Sequence, residues 1–198
     1  MLLHERLRNR RLLLASQSPR RRELLTACGI PYELAPQYAC EERYPASLPP
    51  EEVPAFLSQL KSEACPRPLA ADEILLTADT VVVLRGEVLG KPLDRADALG
   101  MLRRLSGAVH TVVTGVTLRT ADRRRTFTAR SEVRFRPLAE EEIAYYVDTF
   151  RPFDKAGSYG IQEWIGYAAI ERIEGSFYNV MGLPIQKVYV ELERFLQE

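Results

Sequence analysis

Residues Leu12–Leu25 read LLLASQSPRRRELL and set an apolar run, a polar break and a helix start in direct succession. The run Leu12 to Ala15 predicts a buried strand. Ser16-Gln17-Ser18 breaks it. Pro19 suits the first helical position and Ser18 the cap before it. The helix therefore opens on Arg20, Arg21 and Arg22. That is the wrong sign of charge, because a helix N-terminus carries free N–H groups and favours anions by roughly 0.3–1 kcal/mol each. A phosphate chain held by backbone N–H groups and guanidinium forks is the simplest occupant. Solvated arginines are the ordinary alternative.

Outward from this unit, strands and helices intermingle. Pro19 to Cys28 reads as a helix closed by Gly29, and Tyr32 to Ala35 as a short strand. Val53, Phe56, Leu57 and Leu60 have helical spacing, with Pro66 as a stop beyond Cys65. Ile74 to Thr77 and Val81 to Leu84 are two apolar runs around Ala78-Asp79-Thr80. Arg85-Gly86 is a turn before the short strand Glu87 to Leu89. Arg95 to Leu105 is an amphipathic helix, and Val109 to Leu118 and Thr126 to Phe135 are long paired strands. Glu140 to Thr149 is a helix. Phe153 to Tyr167 reads as loop, Ala168 to Ile173 as strand, Asn179 to Pro184 as a structural turn, and Pro184 to Leu196 as the closing helix. The class is α/β (α+β) with a mixed sheet. Residues 11–198 form one domain in this reading, and residues 1–10 a flexible extension.

The 198 residues are 46% hydrophobic, enough for a substantial core. Lys+Arg and Asp+Glu both number 27, so no basic excess points to duplex nucleic acid. No apolar stretch is long enough to span a membrane. Cys28, Cys40 and Cys65 are odd in number and form no Cys-x-x-Cys pair, which argues against zinc and for a reducing cytoplasm. His4 and His110 are the only histidines, so neither a histidine metal cluster nor a Ser-His-Asp triad is expected.

Asp79 is the first candidate for chemistry. An acid between two apolar runs is costly to bury unless paired or metal-bound. At a strand end it would hold a divalent metal or take a proton from water. A turn residue bonded to local backbone is the plain alternative. Lys91, in Gly90-Lys91-Pro92, suits a phosphate oxygen or bulk solvent equally. Lys61 lies on the polar side of its helix, and Glu41 and Glu42 lie in a loop. Gln162, in DKAGSYGIQ, offers a donor and an acceptor to a base edge.

Together these segments resemble the Maf family of nucleoside triphosphate pyrophosphatases. The stretches that carry the likeness are ASQSPRRREL, TADTVVVLRGEVLGKP, LRRLSGAVHTVVTGV, DKAGSYGIQ and IEGSFYNVMGLP. Several ordered motifs at compatible spacing are far more specific than any one. The resemblance implies an elongated mixed sheet flanked by helices, inosine-triphosphatase-like, with two lobes around a cleft. It implies hydrolysis between the α- and β-phosphates, giving a nucleoside monophosphate and pyrophosphate, with Mg²⁺ or Mn²⁺ required. Asp79 would be the general base. Arg20, Thr80 and Gln162 would select substrate. Ser16, Arg20, Arg21, Lys61 and Lys91 would contact phosphate, and Glu41 with Asp79 the metal, with Glu42 adjacent to Glu41. DKAGSYGIQ looks like the branch acting on dTTP and UTP, and modified pyrimidine nucleotides stay open as substrates. The resemblance also carries a homodimer and a house-cleaning role. Two departures are local: Thr77 replaces a glycine, and Glu163-Trp164-Ile165 replaces a glycine-rich continuation. Trp164 is read as packing. A non-catalytic nucleotide-sensing regulator of cell division is the competing reading, and a phosphatase removing the terminal phosphate a third.

Overall fold

Leu12, Leu13 and Leu14 lie in strand β1 (Arg11–Leu14), each almost fully buried. β1 pairs in parallel with β2 (Glu33–Leu34) and with β3 (Glu73–Leu84). In the second pairing Leu12 stands opposite Ile74, Leu13 opposite Leu75 and Leu14 opposite Leu76. Strands covered on both faces read as continuous apolar runs, which is why this segment shows no alternation. The computed structural model describes residues 2–197. Strand β4 (Glu87–Leu89) folds back antiparallel on β3. The long strands β5 (Val109–Arg119) and β6 (Arg124–Phe135) follow, then β7 (Ile170–Glu174), antiparallel to β6. Among the described residues the sheet has seven strands ordered β2-β1-β3-β5-β6-β7, with β4 on β3. The expected mixed α/β sheet with flanking helices is what the chain forms.

The chain divides into two compact units. The first comprises Met1–Asp79, Thr114–Ala129 and Gly182–Glu198, the second Thr80–Val113 and Arg130–Met181. Besides the start of the sheet, the first unit holds helices α1 (Leu3–Arg6), α2 (Pro19–Ala27), α3 (Val53–Glu63) and, near the C-terminus, α8 (Ile185–Phe195). The second holds α4 (Arg95–Leu105), α5 (Glu140–Phe150), α6 (Trp164–Ala169) and α7 (Phe177–Met181). α2 starts at Pro19 as its φ preference dictates, with Leu24 and Leu25 buried. Ser18 occupies the cap position, but its side chain makes no capping bond. Its N–H donates instead to Ser16 Oγ at 3.3 Å. Asp94 does cap by the expected chemistry, its Oδ1 accepting from the Asp97 N–H at 2.8 Å at the start of α4.

Four parts of the chain depart from the sequence reading. Residues 1–10 read as a flexible extension, of which Met1 lies outside the described residues. Leu3–Arg6 and Leu7–Asn9 are instead helical, and Leu3 and Leu7 are buried. The Leu3 N–H donates to the Tyr189 hydroxyl of α8 at 3.2 Å. Two leucines four apart make a stripe too short for periodicity to detect. The two apolar runs around Asp79 are one continuous strand, so Asp79 stands mid-strand rather than at a strand end. The loop read over Phe153 to Tyr167 gives way to α6, and the turn at Asn179 to the short helix α7.

Candidate active site

Asp79 is 8% exposed, and its carboxylate does not stand alone. Lys61 Nζ lies 2.6 Å from Asp79 Oδ1 and 3.0 Å from Glu42 Oε2. One ammonium thus joins two carboxylates, with Asp79 fixed by β3, Lys61 by α3 and Glu42 by the loop after β2. Such pairing is what allows an acid to sit in an apolar strand.

Arg21 reaches inward from the first turn of α2. Its Nε donates to the Gly182 carbonyl at 2.9 Å, and its Nη1 donates to the Ala78 carbonyl at 2.8 Å and to Ser16 Oγ at 3.1 Å. The guanidinium so ties the break after β1, the residue before Asp79 and the turn before α8 into one constellation. Burial pulls its pKa below the ordinary value; Asp79 opposes the shift, Arg20 adds to it and Glu42 opposes it. Gly182 presents its carbonyl from a backbone at φ +119°, a conformation that a side chain disfavours. Sequence reasoning treated Asn179–Pro184 as a turn alone. The glycine before Pro184 was the signal for more.

Contacts with β3 and β5 hold α3 in place for Lys61. Thr77, the departure from glycine, is fully buried and donates its hydroxyl to the Ser58 carbonyl at 2.6 Å. Ser58 Oγ in turn lies 2.9 Å from Thr117 Oγ1 on β5. Gly115 on β5 meets the start of α3 so closely that a Cβ there would lie 2.3 Å from the Pro54 carbonyl carbon.

Glu41 does not join this cluster. It is exposed and pairs with Arg43 at 2.8 Å. Its neighbour Glu42 is the carboxylate turned toward α3, at the centre of a tight turn closed by the Arg43 N–H donating to the Glu41 carbonyl at 2.8 Å. Cys40 lies close enough for Glu42 and Asp79 to add to the burial that raises its thiol pKa, with Lys61 opposing them. Cys28, Cys40 and Cys65 are all free thiols. Among the described residues no three His, Cys, Asp or Glu side chains gather into a metal cage. The donors that do converge, Asp79 and Glu42, are hard oxygens. That fits a magnesium-type ion, which takes one or two carboxylates and completes its shell with phosphate oxygens and water.

Thr80, Lys91 and Gln162 belong to the second unit. Thr80 is half-buried on β3. Lys91 is exposed just after β4, and the preceding Gly90 carbonyl accepts from the Gly157 N–H at 3.0 Å. Gly157 and Ser158 both have left-handed backbones, at φ +66° and +60°. A Cβ on Gly157 would lie 2.8 Å from Val82 Cγ2, so the glycine is required by close approach as well as by conformation. Gln162 is half-buried, and its Oε1 is shielded from solvent with no hydrogen-bond partner among the described residues. His110 lies under the same segment, its Nε2 2.7 Å from the Tyr159 hydroxyl. Trp164 opens α6 and packs edge-on against Tyr145, with centroids 5.2 Å apart.

Residues 11–195 match the family described as Maf-like protein. The chain belongs to the Maf family. Among Maf relatives, a protein of Bacteroides fragilis named dTTP/UTP pyrophosphatase is 50% identical over 184 residues, covering 93% of this chain and 95% of that one. One of Porphyromonas gingivalis with the same name is 51% identical over 193 residues, covering 96% and 97%. A crystal structure of a nucleoside-triphosphatase / dITP/XTP pyrophosphatase from Mycobacterium abscessus aligns over 94% of this chain and 97% of that one, at 16% identity and TM-score 0.43.

Proposed function

We propose that this chain is a nucleoside triphosphate pyrophosphatase acting on dTTP and UTP, with one functional domain over residues 11–198, of which Glu198 lies outside the described residues. The observation that carries the reading is Asp79, a nearly buried carboxylate held by Lys61 within a constellation that also contains Arg21, Ser16 and Glu42. The names of relatives half-identical over almost the whole chain support it.

Asp79 is the general base. It takes a proton from a water that attacks the α-phosphorus. The bond from that phosphorus to the α–β bridging oxygen breaks, and pyrophosphate leaves with the bond's electron pair. The products are a nucleoside monophosphate and pyrophosphate. Arg20 and Lys61 supply positive charge for phosphate oxygens, and Ser16 a hydroxyl donor. Arg21 is mainly an anchor, since three of its donor contacts go to the protein itself. Preplaced charge is the largest contribution available to phosphoryl chemistry. Asp79 and Glu42 would hold Mg²⁺ or Mn²⁺, a role the sequence reading gave to Glu41. A bound divalent ion supplies charge neutralisation and an acidified water.

In the second unit, Lys91 is a phosphate contact, and Thr80 and Gln162 select the base. The partnerless Gln162 Oε1 suits a donor. The N3–H shared by uracil and thymine is such a donor, whereas cytosine presents an acceptor there. Free thiols support a reducing cytoplasm, and no described helix is long and apolar enough to cross a membrane. A homodimer, and no binding to duplex nucleic acid, complete the proposal.

Phosphate measured with and without added inorganic pyrophosphatase, across a panel of triphosphates, tests it. The expected signal appears with dTTP and UTP only when the coupling enzyme is present. Phosphate without it would mean terminal-phosphate removal. A flat panel with measurable nucleotide binding would mean a sensor.

A further inference from the structure

Gln162 sits in a tight turn whose two ends are gripped by one hydroxyl. The Glu163 N–H donates to the Gly160 carbonyl at 3.0 Å, closing a four-residue turn with Ile161 and Gln162 at its centre. The hydroxyl of Tyr146, on α5, accepts from the Gly160 N–H at 3.0 Å and donates to the Glu163 carboxylate. Tyr146 is completely buried. Lys155 is 7% exposed and completes the arrangement, its Nζ 3.1 Å from Glu163 Oε1 and 2.7 Å from Asp154 Oδ1. The first residue of the turn has little room beside this network. A Cβ on Gly160 would lie 3.0 Å from both Glu163 Cδ and Lys155 Cε.

We propose that Tyr146, Glu163 and Lys155 are positioning residues for base selection, fixing the 160–163 turn so that Gln162 presents its Oε1 in one place. The proposal rests on the pyrophosphatase reading and deepens it. Two further features point to placement rather than to bulk stability. The network buries a lysine, a carboxylate and a phenol where apolar side chains would hold a turn with less desolvation. The left-handed backbone of Ser158, at φ +60°, enters the same segment, and strain of this kind at a non-glycine residue gathers at sites where geometry is over-determined. A buried polar network is also all-or-none, because removing one member leaves its partners unsatisfied.

The test compares wild type, Tyr146→Phe and Glu163→Gln in steady-state pyrophosphate release from UTP and CTP, and in calorimetric binding of UMP and CMP. Thermal midpoints verify folding. Tyr146→Phe keeps the ring and loses the grip on both ends of the turn. The expected result is a fall of about tenfold in the UTP-over-CTP preference, carried by KM rather than by kcat, with UMP binding weakened to match. Glu163→Gln still accepts from Tyr146 but no longer pairs with Lys155, and loses less. An unchanged base preference in both folded variants overturns the inference. If Tyr146→Phe fails to fold, Glu163→Gln decides: a UTP preference equal to wild type overturns the inference, and a reduced one supports it. A wild-type protein inactive on every triphosphate overturns the pyrophosphatase reading and this one with it. An active wild type whose variants keep their preference overturns this inference alone.

Discussion

Asp79 was legible in the sequence because an acid between two apolar runs contradicts its surroundings, and Lys61 only through the family likeness. Their meeting was not legible, since it depends on how α3 lies against β3. Replacing Asp79 by Asn keeps the shape and removes the base, so pyrophosphate release should fall by roughly 10²–10⁴ while nucleotide binding survives. Single-turnover kinetics beside equilibrium binding separates the two. Arg21 shows the opposite case: its charge was visible, its anchoring was not. Lysine cannot fork to two carbonyls and a hydroxyl, so Arg21→Lys should lose activity even though the charge is kept. Turnover equal to wild type would remove that anchoring role.

Two buried groups contribute to the acid limit of stability. Burial lowers the His110 pKa from 6.5 to about 4. Between those values the unfolded chain binds a proton that the folded chain refuses, so stability falls as pH drops through that window. Glu73 is held at about 2 by hydrogen bonds from Arg67 and the Ala70 N–H, with both Arg67 and Arg11 adding attraction. Its contribution is present above 4.5 and is lost as pH falls toward 2. Melting temperature followed from pH 7 to 2 should decline in two stages. His110→Gln should flatten the first and leave the second.

Among the elements, β1, α2, α4 and the long pair β5–β6 declare themselves by apolar runs, a proline at a helix start and an Asp cap. The short ones do not. α1, α6 and α7 are too brief for helical periodicity, and only packing makes them helices. The continuity of β3 was hidden by the polar residues at its middle, where Asp79 is satisfied by a side chain from elsewhere. Close approach is equally invisible in sequence. Gly115→Ala forces β5 and the start of α3 apart and should cost at least 1–3 kcal/mol by urea unfolding, the usual range for overpacking. Lys61 lies roughly two turns further along that helix, so turnover should fall as well. Wild-type stability in this variant would show that α3 yields without consequence.

At the scale of the whole molecule, equal numbers of acids and bases leave no global field to attract a polyanion. Affinity for a triphosphate must therefore be local. Removing divalent ions with EDTA should abolish pyrophosphate release, and Mg²⁺ or Mn²⁺ should restore it. Activity that persists through chelation would remove the metal from the proposal.

The pairing of Leu12 with Ile74 also bears on how the chain is born. Some sixty residues separate the two partners, and synthesis at about 5–20 residues per second puts several seconds between them. During that interval the leucine segment has left the ribosome with its principal neighbour still unmade. A nascent chain halted before residue 70 should be a chaperone client, and one long enough for Leu76 to have cleared the ribosome should be released.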